Sequence, residues 1–132
     1  MSIIVCPLHD VEAIARVRRP SHILSLISPS AEPTGFQRLA PYHLELRFND
    51  IAAPREGLVA PSMEHVEALL AFAEGWTGAR PLLIHCWAGV SRSTAAAYVV
   101  ACARTAPGCE VAWAARLRGA APTATPNPLI IA

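Results

Sequence analysis

The sequence contains no lysine. Its eleven basic residues are all arginine, set against ten acidic ones, for a formal charge of +1 with the five histidines neutral. Such a balance excludes the broad basic field that draws in nucleic acid or anionic lipid, so neither is an expected partner and any attraction for an anion must be local. Charge of either sign is scarce, at 16% of residues, where an average domain has roughly 25%. Hydrophobic residues make up 53%, which excludes intrinsic disorder. No stretch approaches the roughly 20 apolar residues that cross a bilayer. The four cysteines, Cys6, Cys86, Cys102 and Cys109, have neither metal-ligand spacing nor the pattern of a disulfide scaffold, so no metal and no cofactor is expected. The opening Met1 to Pro7 lacks a positive stretch and is too short for a signal peptide. A cytoplasmic location is the expectation. Without repeats, low-complexity tracts or linkers, residues 1–132 are expected to form one domain around a single core. Oligomeric state is not encoded in any feature of the sequence.

What is present alternates between strand and helix signals. Ile3 to Cys6 reads as a short strand, and Asp10 to Arg18 as a helix with Val11, Ile14 and Ala15 on one face, stopped at Arg19-Pro20. His22 to Ile27 reads as a buried strand, followed by breakers from Pro29 to Gly35. Tyr42 to Phe48 alternates, as a strand with one wetter face does. After a loop from Asn49 to Pro61, Ser62 caps a helix whose stripe is Val66, Leu69, Leu70 and Ala73. Leu82 to His85 is a further buried strand, Ser91 to Arg104 a helix too apolar for exposure on any side, and Cys109 to Arg118 a last helix. Strands separated by helices predict an α/β fold with a central, mostly parallel sheet of four or five strands flanked by helices.

One decapeptide carries chemistry: His85-Cys86-Trp87-Ala88-Gly89-Val90-Ser91-Arg92-Ser93-Thr94. Five residues separate Cys86 from Arg92, the length of loop that curls around one tetrahedral phosphate. The backbone N–H groups of Trp87, Ala88, Gly89, Val90 and Ser91 then form an anion-binding nest, and the following helix aims its positive end at the same point. Arg92 adds a planar fork for two phosphate oxygens. The same field favours the thiolate of Cys86 and makes it a nucleophile. A buried cysteine that merely precedes an arginine is the plainer alternative.

The pattern His-Cys-x5-Arg-Ser/Thr, preceded by the apolar Pro81 to Ile84, resembles the signature of the cysteine-dependent protein tyrosine and dual-specificity phosphatases. Ala88-Gly89 and Ser91-Arg92-Ser93 look most like the small dual-specificity branch, including its compact bacterial members. The resemblance implies a metal-independent, two-step hydrolysis of phosphate monoesters through a cysteinyl-phosphate. Cys86 attacks phosphorus, Arg92 and the loop hold the phosphoryl oxygens, and Ser93 stabilises the sulfur as it leaves. It also implies a proton donor on a loop well upstream. Asp50 fits, as the one aspartate between Val11 and the chain end, with Glu56 of the same loop as the fallback and a turn or cap role as the bland alternative. His85 is implied to orient the loop from behind and tune Cys86, or to be simply a structural strand-end histidine. A phosphorylated protein is the implied substrate, because the loop lacks the lysines of phosphoinositide-directed relatives.

Other readings stay open. A module that binds phosphate without turnover would keep the same loop, and so would a sulfur-transfer protein. Cys6, at the end of the first strand, is either a small buried hydrophobe or, as in some relatives, the partner of Cys86 in a protective disulfide. Cys102 and Cys109 read as packing residues, Arg16, Arg18 and Arg19 as a solvated helix end, and Trp76 and Trp113 as aromatics packed on helices. Trp87 is expected on the pocket floor or against the core. Ala121 to Pro128 resembles the extended segment after the last helix of compact bacterial relatives. The apolar Leu129 to Ala132 either packs back on the core or marks a shortened form.

Overall fold

The computed structural model describes residues 2–51, 53–87, 89, 91–104, 112, 114, 115, 117, 118 and 126–131. Two apolar runs set its centre. His22–Ile27 (β2) and Leu82–Cys86 (β4, numbered in chain order) are buried at every position, as strands covered on both faces must be. Ile3–Pro7 (β1) lies along the far side of β4, and Tyr42–Arg47 (β3) along the far side of β2. The sheet has the order β1-β4-β2-β3. Its three pairings are all parallel, so among the described residues the sheet has four strands and no antiparallel member. The wetter character of β3 follows from its place at the edge, where Tyr42 is exposed while Leu46 is buried.

Alternation along β4 divides the core in two. Leu82, Ile84 and Cys86 join Leu24, Leu26, Leu69, Ala95, Ala96 and Val100 in one cluster. Leu83 joins Cys6, Val11, Ile23 and Phe36 in the other. The first cluster is closed by Met63–Glu74 (α2) and Arg92–Ala103 (α3). The second is closed by Val11–Arg18 (α1), which buries Val11 and Ala15. α1 ends where Arg19 turns left-handed with φ 48° and its N–H donates to the carbonyl of Ala15 at 2.9 Å, just before Pro20. At the start of α2, the Ser62 N–H donates to Nδ1 of His65 at 3.1 Å, tying the first turn together.

α3 is buried from Arg92 to Ala97 and again at Val100 and Ala101. The expectation of a helix hidden on every side needs correction at its last turn, where Ala103 is exposed. The run of small residues at its start is covered completely, and burial falls away only toward its C-terminal end. Trp76 is fully buried, but it follows the C-terminus of α2 rather than belonging to it. Its Nε1 donates to the Arg80 carbonyl at 2.7 Å and the Arg104 guanidinium lies over its ring. Pro128–Ile131 forms a closing helical turn whose Ile130 enters the first core cluster while Ile131 is exposed; the Leu129 side chain and Ala132 lie outside the described residues. Most of the expected helix from Cys109 to Arg118, including Cys109 and Trp113, and the segment from Ala121 to Thr125 lie outside the described residues. Among the described residues no helix is long and apolar enough to cross a membrane.

Candidate active site

Because the strands are parallel, Pro7, Ile27, Arg47 and Cys86 all end at one edge of the sheet, where open α/β sheets place their ligands. The loop after β4 turns there into α3. Its passage depends on Gly89, which has φ +71°, a region that strains any other side chain. A Cβ at that position would stand 2.8 Å from the Pro7 nitrogen and 2.9 Å from the Cys6 carbonyl carbon. The loop therefore lies directly on the end of β1, and the Leu8 N–H donating to the Trp87 carbonyl at 3.2 Å fastens it there. Ala88 and Val90, two of the expected nest positions, lie outside the described residues.

Cys86 is buried, with Sγ 3.2 Å from Oγ of Ser93 and accepting the Gly89 N–H at 3.3 Å. Burial pushes its thiol up. The Ser93 hydroxyl, the Ser93 and Gly89 backbone groups and the Arg92 charge outweigh that effect, and the thiol sits below its ordinary range. Cys6 shows the opposite outcome under similar burial. With no comparable donors, and with Asp10 and Cys86 nearby, it is pushed up to about 12 and stays a thiol.

Arg92 is almost wholly buried, unusual for a permanent charge. Its NH1 donates to the Phe48 carbonyl at 3.1 Å and lies 3.4 Å from Ser28 Oγ, which fixes the plane of the guanidinium. Its Nε is buried without a hydrogen-bond partner among the described residues. A buried donor left in this way is costly unless an acceptor arrives, and a tetrahedral oxyanion is the acceptor that a cation beside a thiolate-favouring loop suits. Ser28 is itself held in a loop that Arg47 braces, donating to the carbonyls of Pro29 at 3.2 Å and Ala31 at 2.8 Å.

Asp50 follows β3 and reaches this same loop. Its Oδ1 accepts the Ser91 hydroxyl at 2.8 Å and Nδ2 of Asn127 at 2.8 Å. Asp50 and Ser91 are thus brought into contact across the sheet edge. Glu56 is exposed in the same loop.

His85 is completely buried on the opposite face from Cys86, edge-on to Phe36. Its Nε2 lies 2.6 Å from Ser25 Oγ, which lies 2.8 Å from Nε2 of His43. Burial pulls the His85 ring down to about 4, so it is neutral at neutral pH. Trp87 corrects an expectation: its side chain is 73% exposed, on neither the pocket floor nor the core. A strand alternates its faces, and at the position after Cys86 the chain has already left the sheet with its side chain outward. Cys6 is next to His85 in the register of β1 and β4, one place from Cys86.

Sequence reasoning missed Asn127, Ser25, Ser28 and the Phe48 carbonyl. The first three are polar residues of ordinary type with no local signal, and their roles come from partners distant in sequence, across the sheet for Ser25 and between loops for Ser28 and Asn127. Among the described residues no group of three or more histidine, cysteine or acidic side chains is placed to hold a metal.

No family model matches the sequence, and no curated protein matches it. Solved structures do. Human DUSP28 superposes with a TM-score of 0.70 at 19% identity, over 97% of this chain and 82% of its own. The PTP-2 phosphatase of Cydia pomonella gives 0.72 at 18% identity, over 99% and 82%. The human tyrosine phosphatase-like serine/threonine/tyrosine-interacting protein gives 0.69 at 16% identity, over 98% and 86%. At these identities the likeness is one of fold: the chain has the α/β fold of the dual-specificity and protein tyrosine phosphatases.

Proposed function

We propose, from that fold and from the chemistry gathered at its sheet edge, that this protein is a cysteine-dependent phosphatase acting on phosphorylated proteins. The observation that carries the proposal is the pairing of a Cys86 thiol held below its ordinary range with a buried Arg92 whose Nε has no partner among the described residues. A structural cysteine needs neither.

In the first step the Cys86 thiolate attacks phosphorus. The S–P bond forms as the bond to the leaving oxygen breaks, and Asp50 gives that oxygen its proton. Arg92 and the N–H groups of residues 87–91 hold the non-bridging oxygens through the change in geometry. In the second step water attacks the cysteinyl-phosphate and Asp50 takes its proton. Ser93 hydrogen-bonds the sulfur as the S–P bond breaks, which makes the thiolate a better leaving group. His85 supports the loop from behind. The absence of lysine argues against a phosphoinositide substrate, and a working thiolate fits a reducing, cytoplasmic setting.

The test is hydrolysis of p-nitrophenyl phosphate without added metal, wild type beside Cys86→Ser and Asp50→Ala. Turnover abolished by the first and lowered by the second supports the reading. A folded wild type that binds tungstate or phosphate yet turns nothing over would make it a binding module instead.

A further inference from the structure

We infer that Asn127 is a positioning residue for the acid–base step: its carboxamide clasps Asp50 to the loop between Cys86 and Arg92 and determines which carboxyl oxygen carries the transferable proton. This rests on the phosphatase reading above.

Asn127 is 2% exposed. Its Nδ2 donates to Asp50 Oδ1 at 2.8 Å and to the Ile51 carbonyl at 3.0 Å, while its backbone N–H donates to the Ser91 carbonyl at 3.2 Å. Both partners of Nδ2 are pure acceptors, so the chemistry itself fixes which end of the amide faces them. The Ser91 carbonyl also accepts the Ala95 N–H and the Thr94 hydroxyl, both at 3.2 Å. Asn127 is therefore attached to the first turn of α3 and ties the Asp50 loop to it. The Ser91 hydroxyl rotates freely about its C–O bond, whereas an amide is planar and presents its two hydrogens in fixed directions.

The double donation has a chemical consequence. Oδ1 of Asp50 faces two hydrogens, one from Ser91 and one from Asn127, and a proton placed there would oppose both. Oδ2 takes no hydrogen bond from the described residues, so the neutral acid carries its proton on Oδ2. The clasp thus sets both the position of the acid and the oxygen that faces a leaving group.

The experiment compares two substrates with the full chain. p-Nitrophenyl phosphate has a leaving group that needs little protonation, and phenyl phosphate has one that needs it. Asn127→Ala is expected to lower kcat/KM, which reads only the steps through departure of the leaving group, by roughly ten- to a hundred-fold on phenyl phosphate, against about threefold or less on p-nitrophenyl phosphate. In an Asp50→Ala background the same substitution should cost nothing further, because its effect passes through that carboxyl. If Asn127→Ala fails to fold, Asn127→Leu keeps the shape while removing the donor without adding a charge, and is judged by the same ratio. Equal losses on both substrates, or an undiminished loss in the Asp50→Ala background, would overturn the inference and leave Asn127 a structural residue. A folded wild type inert toward both substrates would remove the phosphatase reading itself, and the inference with it.

Discussion

The hydroxyl of Ser93 lies 3.2 Å from the sulfur of Cys86, and both groups are shut away from solvent. A hydrogen bond to the charged form favours that form, and here it works against the burial that opposes it. Thiolate absorbance near 240 nm, taken as the difference between wild type and Cys86→Ser, should titrate below the range of an ordinary thiol. Ser93→Ala should move that midpoint to higher pH. An unmoved midpoint would show that Ser93 only packs against the sulfur.

Gly89 and Gly35 form a natural control pair, since both have φ near +71° but only Gly89 is crowded by backbone. Gly35→Ala carries the conformational penalty alone, about 1 kcal/mol. Gly89→Ala adds a clash with Pro7 and Cys6 that no rotamer relieves, and should cost about 2 kcal/mol or more. Urea midpoints would separate them. Tungstate binding should survive the first change and fail in the second.

Protonation of His85 gives a stability prediction with a definite sign. Its folded-state value is about 4, below the roughly 6.5 of a free histidine. The unfolded chain therefore binds the extra proton between those values. The stability from a neutral, buried ring is fully present above about pH 6.5 and is lost as pH falls toward 4, by roughly 2 kcal/mol between pH 7 and 5. His22, His43 and His65 are shifted in the same direction by burial. His85→Gln should flatten the fall in urea midpoint, and an unchanged slope would assign the fall to the other histidines.

Arg92→Lys tests the fork. An ammonium supplies charge, but it cannot hold Phe48 with one nitrogen while offering others to an oxyanion. Turnover should drop by about a hundred-fold or more, with tungstate affinity reduced in parallel. Near-native activity would mean that charge alone suffices.

The sequence made the nucleophile and its cradle legible because they are local: Cys86, Gly89, Arg92 and Ser93 lie within one strand–loop–helix turn. The same locality made β2, β4 and α3 readable, since a run buried on all sides has no competing periodicity. Asp50 needed the family resemblance, as one aspartate in a loop has no signal of its own. Asn127 and Ser25 were invisible for a different reason. The partners of Ser25 are set by strand order and register and those of Asn127 by where the chain end meets the loops after β3 and β4, and no periodicity along the chain encodes either. Trp87 was misplaced because its apolar character says nothing about the direction a loop takes on leaving a sheet.

The contacts that lower the Cys86 thiol span three and seven residues of sequence, whereas those that hold Asp50 span 41 and 77. On the proposed reading, capture of a phosphoryl group and its release are written at different ranges along the chain. Sequence drift in the distant segments can then abolish turnover while the capturing loop survives intact. An enzyme of this build has a short evolutionary path to becoming a stable receptor for the groups it once removed.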